Sequence, residues 1–160
     1  MAKFDTESLI DSIITLFKNN ISTKLTEITS EKGDSLTLEV PNNSAYFINE
    51  SPALVNYNPY VIVGIESVAP TSAGVSVKKD FKCFVAILHS TFINDTNVNA
   101  QRRIMRYARA FQEVLSENFD KITPGHSQVK ITEFPSNPQL ETQSGEIVRV
   151  AGLSFNFSIA

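Results

Sequence analysis

Between Phe4 and Ile28 the apolar residues Leu9, Ile10, Ile13, Phe17, Ile21, Leu25 and Ile28 return every three or four positions. This is one face of an α-helix, and a helix this long with a continuous apolar stripe must be covered by another element to persist in water. Asp5 is placed to cap it, because a short carboxylate accepts from backbone N–H groups that the first turn leaves unpaired. Ile14 and Leu16 widen the stripe beyond what one sheet face covers. A second surface is therefore expected against this helix, and a neighbouring subunit is a candidate for it.

Gly33-Asp34 interrupts the pattern, after which Leu36, Leu38 and Val40 alternate with Ser35, Thr37 and Glu39. Period-two alternation predicts a half-buried strand, ended by Pro41. Asn42 to Asn58 reads as a long ordered loop with room for one short extra strand. Tyr60 to Val68 is rich in β-branched residues, and Phe81 to Leu88 is apolar on both sides except at Lys82, so these are expected to be central strands covered on both faces. The intervening Ala69 to Asp80 is longer than a tight hairpin turn needs.

A second helix follows, with Asn94, Asp95 or Thr96 as cap and Ile104, Ala108, Phe111, Leu115 and Phe119 on one face. Pro124-Gly125 closes it. Val129 and Ile131 alternate with Lys130 and Thr132, and the segment LSFNFSI places Leu153, Phe155, Phe157 and Ile159 on one side of a strand. Between them lies the polar stretch Pro135 to Glu146. The order helix, three strands, helix, two strands predicts one α+β domain, with a mixed or antiparallel sheet of about five strands and two long helices on one face.

The 160 residues suffice for one domain that buries ~70% of its unfolded surface, and 42% apolar residues with 11 Phe supply the core. A net charge of −3 gives no basic footprint for sequence-independent nucleic-acid binding. Cys83 is the single cysteine, so no intramolecular disulfide is available and a buried thiol in a reducing compartment is expected. No apolar run reaches the length of a membrane-spanning helix, and MAKFDTESLIDS lacks the basic and apolar blocks of a secretory signal. Cytosolic synthesis follows as an expectation, and Asn42-Asn43-Ser44 and Asn94-Asp95-Thr96 then read as polar turns.

Chemistry is sparsely marked. The six glycines are scattered and none opens a helix as a phosphate cradle. His89 and His126 lack a second ligand at metal spacing, and Cys83 would stand ~20 Å from His89 along an extended strand. No Gly-x-Ser-x-Gly elbow presents a nucleophile. Asp11, Glu113 and Asp120 read as helix-surface carboxylates. No catalytic, cofactor-binding or metal residues are therefore expected, and the chain is read as a non-enzyme that binds other protein chains; a small-ligand-binding α+β domain with a pocket between sheet and helices is the contrasting reading.

The most distinctive charged feature is Arg102, Arg106 and Arg109, which share one side of the second helix at i, i+4 and i+7. Three roles are open to it: meeting carboxylates of a neighbouring chain, facing phosphates, or forming a solvated face with local pairs such as Arg109 to Glu113. The three long connections, 42–58, 69–80 and 135–146, suit a subunit that packs against copies of itself. Ile14, Leu16, Arg102, Arg106 and Arg109 are the candidate subunit-interface or lumen residues.

The long first helix, the strand run ending in FKCFVAIL, the helix NAQRRIMRYARAFQEVLSENF and the closing RVAGLSFNFSI resemble, in element order and lengths, the tail-terminator and tail-to-head joining proteins of long-tailed phages. The resemblance covers nearly the whole chain and rests on layout, since that family carries no invariant catalytic signature. It implies a small α+β virion subunit, made in the host cytoplasm, that forms a hexameric ring on the tail tube, ends polymerisation and presents a surface to the head connector or neck. Partners would be copies of itself, the tube protein and the neck protein, with passive contact to DNA in the lumen, no membrane and no cofactor. Another neck, sheath-associated or tube subunit is the rival within this class.

Overall fold

The structure, a computed structural model, describes residues 5–51, 56–73, 76–92, 97–122, 131–134, 140–141 and 146–159. Asp5 caps the first helix as its position requires: its Oδ1 accepts from the Ser8 N–H at 2.8 Å, and α1 runs from Thr6 to Lys32. Gly33 ends it with φ 62°, a left-handed conformation that costs residues with a Cβ about 1–2 kcal/mol, and its N–H closes on the Thr29 carbonyl at 3.2 Å.

The expected strand at Leu36–Val40 does not form. These residues belong to no ladder. Leu36 is buried and Leu38 packs on the core, while the Glu39 carbonyl accepts from the Tyr107 hydroxyl at 2.8 Å. Alternation reports burial on one side only, and here helix and core side chains provide it. The first true strand is the short β1, Tyr46–Ile48, inside the stretch read as a loop.

β2 (Tyr60–Ala73) and β3 (Ser76–Phe92) pair antiparallel along their whole length. The expected 69–80 loop is thus a correction as well: it is a two-stranded ribbon, with Thr71 opposite Lys78 and Ala73 opposite Ser76. Its last three pairs run past Ile159, which stands opposite Lys79 at the end of β6 (Glu146–Ile159). α2 spans Asn97–Ile122, and β4 (Ile131–Phe134) and β5 (Leu140–Glu141) both pair with β6. Among the described residues the sheet has six strands, ordered β1-β2-β3-β6-β4 with β5 also on β6. Only β1–β2 is parallel, so the sheet is mixed and the architecture α+β.

One apolar cluster joins the two helices to one sheet face. Val61, Val63, Phe81, Cys83, Val85, Ile87, Leu153, Phe155 and Phe157 point into it from the strands, and Phe17, Ile21, Leu25, Tyr107, Phe111 and Leu115 from the helices. The alternation in LSFNFSI is realised: Leu153, Phe155 and Phe157 are buried while Asn156 is exposed. The expectation that β3 is covered on both faces is corrected, because Phe84 and Ala86 on the other face are only half-buried. That face shields itself by cross-strand packing: Gly64 stands opposite Phe84, and Phe47 meets Tyr60 edge-on at 6.0 Å. The expected caps of α2 (Asn94, Asp95, Thr96), Pro124-Gly125, Val129 and most of 135–146 lie outside the described residues.

Candidate functional site

The wide stripe of α1 has its explanation inside the chain. Ile14 and Leu16 are buried, 9% and 7% exposed, because α1 touches both β2 and α2. A second surface against α1 is supplied within the chain by α2, while Leu16 also lines a groove at one end of the helix pair.

The two helices run antiparallel, and a seam of ion pairs crosses them. Arg106, 8% exposed in its side chain, gives both terminal guanidinium nitrogens to Asp34, with Nη1 donating to Oδ1 at 3.0 Å. Arg109 donates Nη1 and Nη2 to the Glu31 carboxylate at 2.9 and 2.7 Å, and Nε to Glu113 at 2.7 Å. Further along, Lys24 lies 2.9 Å from both Glu27 and Glu117. Exposed pairs of this kind contribute ~0–1 kcal/mol each; the forked, largely buried Arg106 pair is the strongest candidate for more. The local pair Arg109–Glu113 read from the sequence is present, but the cross-helix partners Glu31 and Asp34 were not legible. They follow from the antiparallel docking of α1 on α2, which helix spacing does not encode.

The Arg106 guanidinium, by hydrogen bonding first, holds the Asp34 carboxyl down to about 2, against an unfolded value of ~3.9. A carboxyl lowered by folding stabilises the fold fully above its unfolded value, and that contribution is lost as pH falls through the folded one. An acid titration followed by circular dichroism should show the wild type losing more stability below about pH 4 than Asp34→Asn does. At neutral pH, Asp34→Ala is expected to lower the melting temperature more than Arg106→Met, because the first strands a buried cation whereas the second frees a carboxylate that water reaches.

Arg102 is left over. It is exposed and has no ion-pair partner among the described residues, although its charge helps lower the Asp34 carboxyl. On the same face of α2 stand Val98 and Met105, 59% and 60% exposed, in the series 98, 102, 105, 109, 112. These two apolar residues were not singled out from the sequence; their seven-residue spacing on the polar side of α2 is the available signal. With Lys32, Asp34 and Gln112 the arginines and Met105 line an open groove of about 600 Å³. At the other end of the helix pair a second groove, about 510 Å³, is lined by Asp11, Ser12, Thr15, Leu16, Asn19, Lys121 and Ile122.

The sheet carries the remaining candidates. His89 is buried with its ring 5.7 Å from Tyr107. It pairs in register with buried Arg149, whose Nη1 donates to Thr91 Oγ1 at 3.1 Å. Among the described residues no three His, Cys, Asp or Glu side chains converge as a metal site; His126 lies outside them. Cys83 is fully buried between Ile65 and Phe155, and burial pushes its thiol up to about 12. With roughly one thiol in ten thousand ionised at pH 8, the native protein should leave a thiol-specific disulfide reagent unreacted over minutes and react fully in denaturant. Rapid reaction of the native protein would show that the sheet opens locally.

Among the described residues no helix is long and apolar enough to cross a membrane. No protein-family model matches the chain, and no curated protein matches it. Among solved structures it is similar to a chain described as "Virion of native gene transfer agent (GTA) particle", at 13% identity and a TM-score of 0.43, covering 88% of this chain and 92% of that one.

Proposed function

We propose that the protein is a structural subunit of a phage-type virion, a tail terminator whose copies close into a ring on the end of the tail tube and occupy the surface on which the next tube ring would stack. The observation that carries this reading is the exposed face of α2. Val98 and Met105 stand in solvent beside Arg102 on a helix whose other described apolar side chains are buried, the composition of a patch that another protein chain covers. The projecting β2–β3 ribbon offers backbone pairs beyond the sheet, and the element order is that of the resemblance noted in the sequence. The mechanism is steric and needs no bond chemistry. A ring of identical subunits requires two different, complementary side patches and a third patch for the tube.

Light scattering over a concentration series, with negative-stain imaging of the same sample and of the sample mixed with tail tubes, tests this. One closed ring size, free or on tube ends, is expected. Open-ended tubes made by the protein alone would assign it to the tube instead, and a protein that stays monomeric and leaves tube ends bare would end the assembly reading.

A further inference from the structure

Resting on the ring reading, we propose that the exposed Val98–Arg102–Met105 face of α2 in one copy docks on the Asp11 groove at the opposite end of the helix pair in the next copy. The two surfaces are complementary in charge. Asp11 is exposed and has no ion-pair partner among the described residues, and Glu7, also exposed, stands one turn before it on the same side of α1. Arg102 is the matching cation at the other end, likewise unpaired among the described residues. They are complementary in character too: the groove, in which Lys121 is held by Asn118 Oδ1 at 2.8 Å, reaches down to Leu16 and Ile122, beside hydroxyl and amide groups. Met105, flanked by Arg102 and Arg109, is the long flexible apolar side chain that can enter such a groove.

A nucleic acid fits the α2 face less well. Arg106 and Arg109 are already forked onto Asp34 and Glu31, and Glu113 holds the remaining Arg109 nitrogen. Phosphates would have to displace or sit against those carboxylates, and Met105 and Val98 would gain nothing from them. Leu16 and Lys32 mark the two grooves on α1 and lie roughly 24 Å apart along the helix, so a contact that joins one patch to the other can repeat head-to-tail from copy to copy, as a ring requires.

Asp11→Arg and Arg102→Glu test the contact, since both positions are exposed and each variant's fold can be checked by its melting curve. Assembly is measured by light scattering, and on tube ends by imaging. Each variant alone should associate at least about tenfold more weakly than wild type, because every contact then opposes like charges. An equimolar mixture of the two should recover, since alternating copies restore a native Asp11–Arg102 contact on one side and, on the other, the same contact with both charges exchanged. Wild-type association should weaken as salt rises from ~0.1 M to ~1 M, where the screening length shrinks from about 10 Å to about 3 Å. If wild type forms rings and the single variants form them equally well, or the mixture fails to recover, this contact is wrong while the ring reading stands. A wild type that forms no ring in solution or on tubes overturns both.

Discussion

Phe111→Ala is expected to destabilise the protein by about 3–5 kcal/mol, lowering the midpoint of urea unfolding without changing its slope. Phe111 is fully buried where α1, α2 and the sheet meet, and its ring centroid lies 4.7 Å from that of Phe17 at a tilt of 58°. Removing the ring forfeits its transfer out of water and leaves a cavity that three rigid elements cannot collapse to fill. For a chain of this size the melting temperature should fall by roughly 10 °C. The pair Phe17→Ala and Phe111→Ala should be less damaging together than the sum of the two, by ~0.5–1.5 kcal/mol, because each ring is part of the other's environment. Met105→Ala, on the exposed face of the same helix, should stay within about 0.5 kcal/mol of wild type. Equal effects at 105 and 111 would mean that the burial pattern of α2 is wrong.

Gly64→Val is expected to cost about 3 kcal/mol through the opposite fault, too much volume. A Cβ at Gly64 would sit 2.5 Å from two carbons of the Phe84 ring and 2.7 Å from Asn49 Oδ1. Asn49, with φ 64°, latches the end of the parallel β1–β2 pair: its N–H donates to the Val63 carbonyl at 2.9 Å and its Oδ1 accepts from the Ile65 N–H at 3.2 Å. Valine at this position must therefore move an aromatic ring across the strand and break the latch as well. Phe84→Leu should recover part of the loss in the double variant, since it removes the ring while leaving the latch. A Gly64→Val protein that melts within about 1 °C of wild type would show that the outer sheet face is far looser than its packing indicates.

How much of this was legible beforehand differs by element. The two helices, the strand pair Tyr60–Val68 and Phe81–Leu88, and the closing strand through Phe157 were readable because each buries one continuous face, and that leaves a period of 3.6 or 2 in the residues themselves. The strand expected at Leu36–Val40 failed for a related reason: alternation records that one side is buried, not that backbone partners exist. A short strand was expected somewhere in 42–58 but its place was not legible, because three residues in an Asn- and Ser-rich stretch carry too short a pattern, and it is the chain's return beside β2 that gives β1 its partners. The 69–80 segment looked like a loop because its composition is that of a turn region, yet pairing continues to Ala73 and Ser76 as the two strands already lie side by side.

For the candidate site, residue spacing was enough to put Arg102, Arg106 and Arg109 on one side of α2, since helical geometry is local. It was also enough to show that α1 carries more apolar surface than one sheet face can cover. What meets these groups emerged only once the chain was folded. The antiparallel docking of α1 on α2 buries Ile14 and Leu16 within the chain, forks Arg106 onto Asp34 and Arg109 onto Glu31, and leaves Arg102, Met105 and Val98 in solvent. Local residue order fixes which face of an element a side chain occupies, whereas the partner of that face depends on the rotation and direction in which distant elements pack, and these are set by the whole core at once.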